Sequence, residues 1–212
     1  MKTINLFFLM FISIATLAND EKYYEQMGKQ IQAVYTAKSL DEYQAAVNTL
    51  ERIGNAEKTK WEPFYYSAFG SIMMANLEKD ASKKEVHLDQ ALAAVEKGKD
   101  IAANESELVA LEGFVHMIRI TVDPASRGQQ YSGLAMQTFG KALGMNPNNP
   151  RAMSLLAQMQ FGTAQFFKQQ PTEACATANK ALGLFDSVTK SENPLAPQWG
   201  KEMTVELIQN CK

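Results

Sequence analysis

Apolar residues recur along this chain at spacings of three and four, and the recurrence itself repeats. In "AMQTFGKALGMNPNNP", residues 135 to 150, Ala135, Phe139 and Ala142 share one face of a helix. Small residues at both ends of that stripe let a neighbouring helix approach, and Phe139 fills the space between. Pro147 cannot continue the hydrogen-bond ladder and stops the helix. Asn149 is placed to cap the next one, with Pro150 at its first position. The same phrase occurs as Ala46, Leu50 and Ile53, as Ala91, Val95 and Gly98, and as Ala174, Ala178 and Ala181. Its anchor alanines lie 45, 44 and 39 residues apart. A preceding helix accompanies each anchor, as with Tyr66, Phe69, Gly70 and Met73 before Ala91, or Met153, Leu156, Ala157 and Gln160 before Ala174. The pattern predicts an all-α chain of helix pairs.

A first helix with large-x-x-Leu-Gly/Ala-x-x-Tyr, followed by a second with Ala-x3-Phe-x2-Ala-x4-Pro, resembles the tetratricopeptide (TPR) repeat. Residues 135 to 147 match every position of the second half; the other repeats are degenerate. The period of about 44 exceeds the usual length of about 34. The surplus falls at "NLEKDASKKEVH" and "TVDPASRGQQYSG", where longer helices or long loops would both absorb it. More narrowly, "AEKTKWEPFYY", "DPASRGQQYS", "NPNNPRA" and the closing "PLAPQWGKE…NCK" resemble a group of small exported TPR proteins of the Gram-negative envelope, which has no assigned activity. The resemblance implies a right-handed superhelical stack of helix pairs, a TPR-like solenoid with a C-terminal capping helix. A single domain would span 19–212, with repeats at about 19–59, 60–103, 104–149 and 150–192 and the cap at about 198–210. Ser39 and Glu42 read as a capping box. Trp199, Met203, Leu207 and Cys211 have the period to close the stack.

The first residues change the address of the protein. Lys2 precedes an apolar run from Leu6 to Ile14, and Thr16 and Ala18 are small residues before Asn19. Residues 1–18 read as a secretory signal peptide, so the expected location is periplasmic or associated with the outer envelope. Losing Lys2 shifts the formal charge from −2 to −3. That balance gives no electrostatic case for nucleic acid or for an anionic membrane surface. Cys175 and Cys211, the two cysteines, argue for a disulfide in an oxidising compartment; two free, buried thiols are the alternative.

Candidate chemistry is sparse. The histidines are His87 and His116. Metalloprotease, α/β-hydrolase and P-loop signatures are absent, as are closely spaced zinc ligand pairs. No catalytic, cofactor-binding or metal site is expected. Glu112 and His116 share a helical face; the better periodicity of Leu108, Leu111, Val115 and Ile118 puts those four in the core, and the alternatives are a satisfied Glu–His hydrogen bond or, third, a metal or catalytic site. "DPASRGQQYSG" reads as a long loop, folded back on the repeats or in contact with a partner through Asp123, Arg127 and Tyr131. A TPR-like register would turn Arg151, Ser154, Gln158 and Phe161, with Arg119, into a concave groove. The expected function is a non-enzymatic periplasmic scaffold for a protein or peptide. Alternatives are a small-ligand carrier and a structural or oligomerising envelope protein.

Overall fold

The structure, a computed structural model, describes residues 4–188 and 193–211, with side chains placed from Asp20 to Ser187 and from Asn193 onward. Residues 1–3 of the expected signal peptide and the 192 repeat boundary lie outside the described residues, and side chains of residues 4–18 are not among those placed. The described residues form α1 (Ile4–Thr36), α2 (Leu40–Glu57), α3 (Glu62–Leu77), α4 (Ala81–Ile101), α5 (Ser106–Ile120), α6 (Pro124–Met145), α7 (Pro150–Phe166), α8 (Thr172–Val188) and α9 (Lys201–Gln209). No strand occurs among them. The protein is all-helical.

Local chemistry starts these helices where the sequence marks them. The Ser39–Glu42 capping box opens α2, Asp80 accepts from the Lys83 amide before α4, and Asn149 accepts from the Ala152 amide before α7. Asp123 caps α6 with Pro124 at its first position, and the helix runs unbroken through Tyr131. The predicted loop "DPASRGQQYSG" is therefore the cap and first turns of α6. A capping aspartate and a proline in the first turn nucleate a helix there, and the long repeat period is absorbed by longer helices.

Each helix packs on its sequence neighbours, and α1, α3, α5 and α7 also touch in succession. The repeated phrase supplies the interior: Ala46, Ala91, Ala135 and Ala174 are all buried, with Leu50, Val95, Phe139 and Ala178 below them. Helix α3 is buried over most of its circumference, from Pro63 to Ile72. On α5, Leu108, Leu111, Val115 and Ile118 are buried, and Glu112 pairs with Lys99 at 2.6 Å rather than with His116. Cys175 and Cys211 are joined, with an S–S distance of 2.05 Å, and tie the chain end after α9 to α8. The capping helix is shorter than expected, because Trp199 precedes α9 and joins the main core.

Candidate functional site

The row of first helices, α1, α3, α5 and α7, carries a dense group of aromatic and polar side chains. Tyr65 from α3 donates to Glu107 Oε2 at 3.2 Å, and Arg151 Nε from α7 donates to the same oxygen at 2.8 Å. Tyr35 and Tyr66 pack edge-on. Burial holds the Tyr35, Tyr65 and Tyr66 phenols above their ordinary range. Burial also opposes the Arg151 charge, but Glu107 and the neighbouring tyrosines outweigh it, so the guanidinium is held above its usual value.

The chain's own C-terminal segment covers this row. Trp199 stacks on Phe69 and Phe114, with ring centroids 4.8 and 5.7 Å apart. Its indole N–H donates to the Tyr65 hydroxyl at 2.9 Å, and its carbonyl accepts from Arg151 at 3.2 Å. Tyr66 donates to the Leu195 carbonyl at 2.8 Å, while the Gln198 amide donates to the Tyr35 hydroxyl at 3.0 Å. Residues 195–199 thus touch all four first helices. The sequence signal for this was an aromatic preceded by two prolines in "PLAPQW", read as part of a cap rather than as a filler of the row.

The structure places the residues expected in a groove as follows. Arg151 and Ser154 are 2 % exposed, and Ser154 shares a 2.6 Å hydrogen bond with Thr204 of α9. Phe161 packs against the cluster of Ala157, Ala178 and Leu207, the last from α9. Gln158 is half-buried, with an amide nitrogen that has no hydrogen-bond partner. Arg151 and Ser154 thus bond to the segment that carries Trp199 and α9. Arg119 turns instead toward α4, where it pairs with Glu85 and Asp89. Arg127, on α6, also pairs with Glu85. Both guanidiniums lie 5.9 Å from the Tyr131 ring, which stacks on His116. Asp123 is spent on the cap of α6. The three residues expected in a contact loop therefore serve α6 and its junction with α4 and α5.

Open depressions lie on either side of the C-terminal half of α2. The smaller, about 320 Å³, is walled by Gly54, Phe64 and Lys97 among others. The larger, about 410 Å³, lies between α1 and α2; Tyr23, Ile53 and Ala56 give it apolar wall, and Lys22 and Arg52 give it charge. No group of three His, Cys, Asp or Glu side chains among the described residues could hold a metal ion. No described helix is long and apolar enough to cross a membrane.

This all-helical fold has a counterpart among solved structures. The chain is similar to a haemophore. The HusA haemophore from Porphyromonas gingivalis matches it with a TM-score of 0.79 and 27 % sequence identity, covering 90 % of this chain and 92 % of that one. No protein-family model matches, and no curated protein does.

Proposed function

We propose that the protein is an exported, non-enzymatic carrier of a small amphiphilic ligand of the haem class. The observation that carries this is the likeness to the HusA haemophore along nearly the full length of both chains. The burial of Arg151, Ser154 and Trp199 supports it from another side. A peptide-binding scaffold would need the row of first helices open, and the protein's own residues 195–199 lie on it. The helix pairs are read as a right-handed TPR-like stack forming one domain from residue 19, with residues 1–18 as the signal peptide. The Cys175–Cys211 disulfide supports export, since such bonds persist in oxidising compartments.

Titration of the purified protein with haem, followed by absorbance in the Soret region, tests the proposal. Saturable binding at one haem per chain is expected. A linear, unsaturated response at every protein concentration would sink it.

A further inference from the structure

A carrier needs a site, and three places on this molecule compete for it. The row of first helices is filled by Trp199 and its neighbours. The cluster of His116, Tyr131, Arg119 and Arg127 is closed by ion pairs to Glu85 and Asp89. The cleft between α1 and α2 is open, and its charges are not spent.

Residues four apart on a helix present one face, so Lys22 and Gln26 from α1 stand opposite Thr49, Arg52, Ile53 and Ala56 from α2. Arg52 donates to the neutral Thr49 hydroxyl at 3.1 Å, and neither Arg52 nor Lys22 has an ion-pair partner among the described residues. Lys60 adds a third cation at the edge, 5.2 Å from the Tyr23 ring and 6.0 Å from the Tyr24 ring. Its own partner is Asp20, at 3.6 Å. Tyr23 offers the cleft a ring whose hydroxyl is already committed to Glu62. Burial and the Glu62 charge hold that phenol far above its ordinary range, so it stays neutral. Glu57 is the acidic wall residue. A volume of about 410 Å³ is within the range of about 300–1,000 Å³ typical of small-molecule sites.

We infer that the α1–α2 cleft is the ligand site, taking a flat apolar molecule that carries carboxylates: the body lies against Tyr23, Ile53 and Ala56, and the carboxylates meet Arg52 and Lys22. Arginine matches a carboxylate with two parallel N–H donors, which fixes orientation as well as charge. This inference rests on the carrier proposal, and haem, which has this shape and two propionates, is the probe.

Three variants are titrated with haem beside the parent protein. Ala56→Trp fills the cleft from an exposed position, Arg52→Glu reverses its charge, and Asn55→Trp adds the same bulk to the depression on the other side of α2. Thermal melts establish that each is folded. The expected result is a loss of at least tenfold in affinity for Ala56→Trp and Arg52→Glu, with Asn55→Trp within twofold of the parent. If the parent binds and the two cleft variants bind equally well, the site is elsewhere and the carrier proposal stands without it. If the parent itself does not bind haem, both fall together.

Discussion

Arg151 is a charged side chain buried to 2 % exposure, and its partner Glu107 is nearly as enclosed. Removing one member of such a pair leaves an uncompensated charge, at a cost of about 3–5 kcal/mol. Glu107→Gln is therefore expected to lower stability by about that amount in urea unfolding, and Arg151→Met added to it should recover part of the loss. A different kind of titration is set up at His116. Burial, with Arg119 and Lys99 nearby, holds its imidazole below the ordinary range against the opposing pull of Glu112. The unfolded chain then takes up a proton before the folded one does. The contribution is complete above the ordinary imidazole range and is lost as pH falls through that range toward the lower folded value. Thermal midpoints measured from pH 8 to pH 5 should fall less for His116→Phe than for the parent. An equal fall in both would remove His116 as the source. The sequence showed Arg151 and His116 on helices but not what would face them. Arg151 meets its partners across 44 and 48 residues of chain, to Glu107 and Trp199, and no local spacing encodes such a pairing.

Helices α5 and α6 show how far periodicity reaches. A Cβ built on Gly113 would lie 2.4 Å from Cε1 of Phe139, whereas one on Gly128 would meet nothing within 4 Å. The two glycines look alike in sequence and should respond oppositely to alanine. Gly113→Ala forces Phe139 out of the stripe in which it packs, with an expected loss of about 1–3 kcal/mol. Gly128→Ala relieves backbone entropy in a helix interior and should gain about 0.4–1 kcal/mol. Chemical denaturation of both variants reads the difference; matching signs would mean that α5 and α6 approach less closely than described. The Ala135–Phe139–Ala142 phrase was legible because a helix face is a local property, and all three residues are buried. "DPASRGQQYSG" was misread because its Asp-Pro start and its glycine suggest a turn, yet the same Asp-Pro pair caps a helix. Phe166 and Phe167 lie on a helical spacing too, yet at the end of α7 they are 80 % and 63 % exposed, because spacing does not say where a helix runs out of neighbours.

At the scale of the molecule, the disulfide and the proposed cleft depend on different helices, α8 and α9 for one and α1 and α2 for the other. The Cys175–Cys211 bridge closes a loop of 36 residues, and in the chain-entropy model a loop of that size is worth about 3–4 kcal/mol. That constraint acts on the unfolded chain and on the anchoring of α9. It does not act on Trp199 directly, whose indole and carbonyl are held by Tyr65 and Arg151. The pairing was readable from the chain's two cysteines, but the arrangement it encloses was not, because residues 195–199 reach helices more than 100 positions earlier. Replacing both cysteines by serine should therefore separate the functions of the two ends. Amide exchange is expected to quicken first in α9, while the Trp199 indole stays protected until global unfolding. Haem affinity, measured well below the lowered melting temperature, should remain within twofold of the parent, because Lys22, Arg52, Ile53 and Ala56 keep their positions. A tenfold loss of affinity without unfolding would instead place the ligand against α8 and α9, and with it the role of the disulfide.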